Sequence, residues 1–325
     1  MKSRKRKALI FGISGQDGAY LAQLLLSKGY EVHGTSRDAE VSRFKSLNLL
    51  KIYEELKLHS AVLTDFRSTL QVIAGVEPDE IYNLAGQSSV GLSFQQPVET
   101  LDSIAHATLN ILEAIRFLGR DIRFYNAGSS ECFGDNNGEP ASELTPFHPR
   151  SPYGVAKSAA FWQVASYRES YGVFACSGIL FNHESPLRPA RFVTRKIIAA
   201  AVRISKGSNE KLMLGDLSIE RDWGWAPEYV IAMWMMLQHS EPEDFVIATG
   251  KYNRLQDFLE MVFGNVGMDW RSHVVIDKTL YRPSELKRSL GNPSKAQKKL
   301  GWISRKQLPE IIQEMLAAEQ EGIVV

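Results

Sequence analysis

KALIFGISGQDGAYLAQLLLSKGYEVHGTSR, residues 7–37, reads as strand, glycine-rich turn, helix and strand in immediate succession. Lys7–Phe11 is a short apolar run, and GISGQDG follows it without a gap. AYLAQLLLSKG then carries apolar positions at helical spacing and stops at Gly29, a residue suited to a helix C′ position. Gly12, Gly15 and Gly18 let the backbone turn tightly and approach a ligand closely. Ile13, Ser14, Gln16 and Asp17 complete the turn. A pyrophosphate can then sit at the helix N-terminus, as in the first βαβ unit of a dinucleotide-binding fold.

The second strand ends in Thr35-Ser36-Arg37-Asp38. An NAD site wants a carboxylate there for the ribose 2′-OH, an NADP site a cation for the 2′-phosphate. Arg37 comes first and Ser36 adds a donor, so NADP is favoured, with Asp38 pulling the other way. Residues 39–58 read as helix, and HSAVLTDF, 59–66, as a third strand. Asp65 and Phe66 at its end can meet an adenine by hydrogen bond and apolar contact. VEPDEIYNLAGQSS, 76–89, is a fourth strand opening into a loop. Leu84, Ala85 and Gly86, followed by Gln87 and Ser88, are small enough at the start to lie flat along a dinucleotide. A helix near Pro97–Phe117 leads to the next strand. This alternation predicts an α/β fold with a doubly wound parallel (Rossmann) sheet and ligands at the C-terminal ends of the strands.

RFYNAGSSECFG, 123–134, is an apolar strand running into a small-residue loop with Ser129, Ser130 and Glu131. PRSPYGVAK, 149–157, starts a helix on which Tyr153 and Lys157, four apart, share a face. A free phenol ionises at about pH 10, too high for a base at neutrality. The Lys157 ammonium and a cationic nicotinamide both favour phenolate. Tyr153 can then take the proton of an alcohol or sugar hydroxyl while hydride leaves the same carbon, with Ser129 holding that oxygen. Tyr-x-x-x-Lys alone occurs by chance on many helices; the glycine loop and serine pair give it force. Phe161, Trp162 and Tyr167 further along that helix read as packing.

VFACSGILFNHESP, 173–186, is another strand entering a polar loop. From Pro186 the composition shifts, with Pro189, Arg191, Arg195 and Lys196 ahead of an apolar helix. RDWGW, 221–225, a helix and the strand DFVIATG, 244–250, look like a return to the first domain. The expected division is an NADP-binding Rossmann domain over 1–181, rejoined at about 222–250, and a smaller, discontinuous α/β substrate domain mainly over 182–325. Arg282, Glu285, Lys287 and Arg288 belong to the second. Its scattered cations fit an anionic substrate, though each alone is more often surface solvation.

The chain has 325 residues, 44% of them hydrophobic and 23% charged, with a net charge of +1. That balance gives no reason to expect nucleic acid or a membrane as partner. The basic opening KSRKRK, 2–7, reads as a solvated leader, with no secretory core after it and no apolar run of spanning length. Cys132 and Cys176 are too few for a disulfide framework, which suits a reducing cytoplasm. No metal site is expected.

GISGQDGAYLAQLLLSKGYEVHG, TPFHPRSPYGVAK, GILFNHESP, FVTRK, RDWG, YRPSE and LGNPSKAQKKLGW are more specific as a set than any single motif. With them the chain resembles, over nearly its full length, the extended short-chain dehydrogenase/reductase family that acts on nucleotide sugars. Glu131 stands where the dehydratases of that family place a glutamate, implying a base at C5 of the sugar, with Ser130 assisting. The resemblance implies NADP-dependent 4,6-dehydration of a GDP-hexose, GDP-mannose foremost. It puts cofactor contacts at Gly12–Asp17, Arg37, Asp65, Leu84–Ser88, Lys157, His183 and Arg188. It puts the GDP moiety at Asn182, Val193, Lys196, Gly215, Arg221, Arg282 and Glu285. A homodimer through helices of the first domain, or a homotetramer, is the implied assembly.

Four segments depart from the family pattern. Ser129 replaces a usual Thr, and Asn126 and Gly128 replace Gln and Ser. DAEVSRFKSL, 38–47, replaces a second Arg, a serine pair and a longer arm. Pro189-Ala190-Arg191 replaces a Gly and an acidic residue, and Lys287 replaces an Asp. Three alternatives stay open: a dehydratase for another GDP-sugar such as a heptose; a 4-keto-sugar reductase or epimerase, which has no need of Glu131; and a non-catalytic NADP-binding module, to which a complete catalytic set brings nothing.

Overall fold

The computed structural model describes residues 4–136 and 138–325. Six strands, β1 (Lys7–Phe11), β2 (Glu31–Ser36), β3 (Lys57–Ser60), β4 (Glu80–Asn83), β5 (Arg123–Ala127) and β6 (Ala175–Leu180), join Phe245–Ile247 in one sheet. The order is Phe245–Ile247, β6, β5, β4, β1, β2, β3, and every pairing is parallel. The chain starts in the middle, runs outward through β2 and β3, then crosses back to β4. That reversal opens a crevice between the C-terminal ends of β1 and β4, the usual ligand position of such sheets. Phe11 pairs with Asn83 and Asn83 with Asn126, so these three ends lie in line.

Both faces of the sheet are covered, which is why β1 runs apolar without a break from Ala8 to Phe11 and all four residues of β4 are buried. Ala8 and Ile10 pack with Leu21, Leu25 and Met233, from helices Gln16–Ser27 and Ala226–Gln238. Leu9 and Phe11 pack on the other face with Ile73, Ile111 and Val164. Those three residues come from helices Phe66–Val76, Ala107–Leu118 and Pro152–Tyr171. A second core joins helices Val193–Ser205, Leu255–Asn265 and Leu308–Glu321 through Ile198, Val202, Phe258, Phe263, Ile311 and Met315. Short strand pairs edge it: Leu212–Leu214 with Val274–Ile276, and Glu220–Arg221 between Asn253–Arg254 and Arg288–Ser289. Asp222 ties this core to the sheet. Its buried carboxylate accepts the Thr249 and Gly250 N–H groups, at 3.0 and 2.9 Å, and the Thr249 hydroxyl at 2.8 Å.

Two local expectations fail. Residues 39–58 hold one helical turn, Lys45–Leu49, and a 3₁₀ turn, Tyr53–Glu55, instead of a helix. The Asp38 carboxylate accepts the N–H groups of Glu40 and Val41, favouring a turn, and Phe44 and Lys51 take positive φ of 41° and 56°. The third strand is Lys57–Ser60, not 59–66. Asp65 and Phe66 therefore stand at the start of the helix Phe66–Val76 rather than at a strand end. Asp65 is its N-cap and accepts the Ser68 N–H at 2.7 Å, a helix-start signal that strand periodicity masked.

Residues 2 and 3 of the basic opening lie outside the described residues. Arg4 pairs with Asp79 and Arg6 reaches the buried Glu80. Among the described residues no helix is long and apolar enough to cross a membrane.

Candidate active site

A cleft of about 420 Å³ opens beside the C-terminal ends of the central strands, lined on one side by the sheet and on the other by the second core. The glycine turn borders it and lines it through Asp17, while residues 12–16 and Gly18 lie behind. Gly12 has φ +84°, and a Cβ there would lie 2.9 Å from Ala85 N and Leu84 O, so only glycine lets the turn lie against the loop after β4. Ser14 and Gly15 are exposed, and the helix that follows opens with no side-chain cap. Its first-turn N–H groups are available to an anion. This cradle fits a dinucleotide pyrophosphate.

The turn is held from the far side of the molecule. Gln16 Nε2 donates to His183 O at 3.2 Å and its Oε1 accepts the Ser185 hydroxyl at 2.8 Å. Asp17 Oδ2 lies 2.8 Å from His183 Nε2, while His183 Nδ1 lies 2.7 Å from Phe181 O. Both neighbours are acceptors, an arrangement that favours protons on both ring nitrogens. Burial pulls the His183 pKa down, but the charge and hydrogen bond of Asp17 overcome it and leave it raised. Burial likewise works against the Asp17 carboxylate, and His183 holds it below its ordinary value.

Arg37 is exposed at the end of β2, while Asp38 is turned into its own backbone. In the loop after β4, Gln87 is turned inward, donating to Ser89 O and Thr100 Oγ1. Leu84 and Ser88 face the cleft. Arg191 reaches Ser88 Oγ at 3.3 Å. Arg188 pairs with Glu184 at 3.3 Å and stacks on Phe192, 3.7 Å from its ring centroid.

Ser129, Glu131, Tyr153 and Lys157 come together on one wall. β5 delivers Ser129, whose hydroxyl accepts the Glu131 N–H at 3.3 Å and starts a 3₁₀ turn, Ser130–Cys132. Ser130 is buried beneath it. The helix Pro152–Tyr171 starts cleanly: Ser151 caps it by accepting the Gly154 N–H at 3.0 Å, with Pro152 in the first turn. A Cβ on Gly154 would lie 2.7 Å from Glu131 O, so this glycine lets the helix start press against the Glu131 turn.

Burial dominates the charges here. It raises the Tyr153 pKa above that of a free phenol, although a hydrogen bond with Ser129 works to lower it. Lys157 Nζ donates to Ala127 O at 2.7 Å and lies 5.8 Å from the Tyr153 ring centroid. Burial pulls its pKa to about 8. Glu131 is raised, first by burial, against the lowering charges of Arg221 and Arg282.

The facing wall carries Asn182, Val193, Lys196, Gly215, Arg221, Arg282 and Glu285. Lys196 Nζ donates to Met213 O at 2.7 Å. Buried Arg221 donates to Glu285 Oε1 at 2.8 Å, and Arg282 approaches the same oxygen at 3.5 Å. Lys287 pairs with Asp216 at 2.5 Å, at the cleft edge. Arg37, Asp65 and Phe66 lie outside this cleft, at the start of the loop after β2 and the start of the helix after β3. Sequence reasoning did not single out Met213, Asp216 or Leu280, which also line the cleft. Most are apolar or sit in loops, and no residue type or spacing marks them.

The fold is of the Rossmann type, with the cleft at the C-terminal ends of its parallel strands. The family model described as GDP-mannose 4,6 dehydratase matches residues 9–315. GDP-mannose 4,6 dehydratase 1 of Arabidopsis thaliana is 46% identical over 329 residues, covering 98% of this chain and 90% of the relative. GDP-mannose 4,6 dehydratase of Cricetulus griseus is 44% identical over 348 residues, covering 98% and 93%. Among solved structures, a UDP-glucose 4-epimerase of Thermus thermophilus in complex with NAD superposes with a TM-score of 0.84. It is 23% identical and covers 97% of this chain and 99% of its own. The chain belongs to the GDP-mannose 4,6-dehydratase family, whose enzymes are hydro-lyases.

Proposed function

We propose that the protein dehydrates GDP-mannose to GDP-4-keto-6-deoxymannose with NADP as a resident cofactor. The observation that carries this reading is that Ser129, Glu131 and Tyr153 line one cleft, with the Glu131 backbone packed against Gly154. When bound, NADP supplies the acceptor and donor for the hydride moved from C4 to C6. The glycine turn and uncapped helix N-terminus hold its pyrophosphate, and Leu84–Ser88 lie along it. Arg37 takes the 2′-phosphate, a preference over NAD supported by the inward turn of Asp38. Asp65 and Phe66 meet the adenine, and His183 and Arg188 add positive charge beside the turn.

Tyr153 removes the O4 proton, and the Ser129 hydroxyl donates to that oxygen as it becomes a carbonyl. The new carbonyl acidifies the C5 proton. Glu131 takes it and passes it to the departing C6 hydroxyl, so water leaves; a carboxyl raised by burial suits both halves of that transfer. The proton taken from O4 is the one the product needs at C5. Ser130, beneath the turn, supports Glu131. Arg221, Arg282 and Lys196 hold the diphosphate and nucleotide with Asn182, Val193, Gly215 and Glu285. Lys157, anchored on Ala127 O, acts by fixing the strand end and adding charge.

The reading includes a Rossmann unit over 1–181 rejoined near 222–250, supported by the pairing of Phe245–Ile247 with β6. It includes a homo-oligomer formed through sheet-side helices, on which Phe117, Trp162 and Tyr171 are exposed. Two buried, unpaired cysteines fit a cytoplasmic enzyme. Incubation with NADP⁺ and GDP-mannose tests the function: the expected product has lost one water and carries a 4-keto group. Conversion of a different GDP-sugar alone would overturn the substrate and leave the reaction class standing.

A further inference from the structure

We propose that Arg191 is a specificity-determining residue for the sugar, holding the adjacent C2 and C3 hydroxyls. The inference rests on the dehydratase reading above. The cations around the cleft are mostly matched: Arg188 by Glu184, Arg221 and Arg282 by Glu285, Lys287 by Asp216. Arg191 differs. Among the described residues it makes no ion pair, and its guanidinium instead reaches a neutral hydroxyl, Ser88 Oγ, at 3.3 Å. The contact joins two separate walls, the loop before Val193 and the loop after β4, both of which line the cleft.

Phe192 separates the two neighbouring arginines. Arg188 stacks 3.7 Å from its ring centroid, and its charge is felt by both Asp17 and His183 at the glycine turn. Arg191 stands farther from the ring, at 5.6 Å, and turns toward Ser88.

The sugar's own chemistry leaves one edge for it. C4, C5 and C6 must face Tyr153 and Glu131, and C1 carries the diphosphate toward Arg221 and Arg282. O2 and O3 remain. A guanidinium presents several N–H donors in a rigid fork, which matches two vicinal oxygens. The weak Ser88 contact is one that a better-placed pair of hydroxyls can replace.

Calorimetric titration of the NADP-loaded protein with GDP-mannose and with GDP tests this without turnover. In Arg191→Met, GDP-mannose is expected to bind about tenfold to a hundredfold more weakly, with GDP unchanged within about twofold. Arg191→Lys should recover little of the loss, because it lacks the fork. Equal melting temperatures of variant and wild type, expected for an exposed side chain, separate the effect from misfolding. Unchanged GDP-mannose affinity, or equal weakening of both ligands, overturns the inference; the first makes Arg191 a solvated surface residue, the second a diphosphate ligand. Wild-type protein that binds GDP but not GDP-mannose overturns the substrate reading itself, and the inference with it.

Discussion

The two walls of the cleft are held by different forces. Ser129, Glu131, Tyr153 and Lys157 hang on β5 and on the first turn of the helix Pro152–Tyr171. There backbone packing, a serine cap and the Gly154 contact determine positions. Arg221 sits on a two-residue strand, Asp216 in the loop after Leu212–Leu214, and Arg282, Glu285 and Lys287 on the segment 278–289, where ion pairs determine positions. The first wall suits chemistry, which tolerates little misplacement of reacting atoms. The second suits recognition of a charged group, because its side chains can exchange one another's carboxylates for an incoming diphosphate.

If this contrast is right, damage to the first wall should appear in kcat and damage to the second in binding. Tyr153→Phe and Glu131→Gln are each expected to lower kcat about 10³-fold. Product analysis separates them: Glu131→Gln should still oxidise C4 without losing water, whereas Tyr153→Phe should do neither. Gly154→Ala comes next, at about 100-fold, because its methyl must push Glu131 O away from 2.7 Å; steady-state kinetics and melting together would show whether the loss is local. Arg282→Met should raise KM about tenfold with kcat nearly unchanged, since that side chain is partly exposed and shares its carboxylate with Arg221. A kcat loss as large as that of Tyr153→Phe would erase the distinction between the walls.

Two finer effects link the walls through Glu131. As a base it acts deprotonated, and its pKa is raised, so kcat should fall with acidification at a pH above the ordinary carboxylate range. Arg282 lowers that pKa, so its removal should shift the acid limb of the kcat profile upward. Stability has the matching sign. A carboxyl with a raised folded pKa contributes stability that is complete at low pH and lost as pH rises through that pKa. Glu131→Gln should therefore melt higher than wild type at neutral pH, with the difference closing on acidification.

How much was legible in advance follows the same division. β1, the glycine turn and the Tyr153–Lys157 spacing are local patterns, and each is where the sequence predicted it. The third strand and the segment before it were misread because turn-forming hydrogen bonds at Asp38 and the cap at Asp65 outweighed the apolar periodicity. The helical spacing puts Lys157 on the face of Tyr153, but that its ammonium meets the Ala127 carbonyl is set by packing. Arg188 and Arg191 look alike in the chain; Phe192, Glu184 and Ser88 make them different.

The amino-acid sequence by itself determined the parallel sheet, the cradle for a dinucleotide and the chemical inventory of the cleft. Those depend on short-range periodicity, on glycine geometry and on which side chains can move protons. Tertiary structure decided what each charge faces. Burial raised Tyr153 and Glu131 and drew Lys157 down, the second core brought Arg221 and Arg282 within reach of Glu131's field, and Arg191 was left without a carboxylate. Electrostatic energies depend on distance and solvent exposure, and neither is set until segments far apart in the chain are packed together.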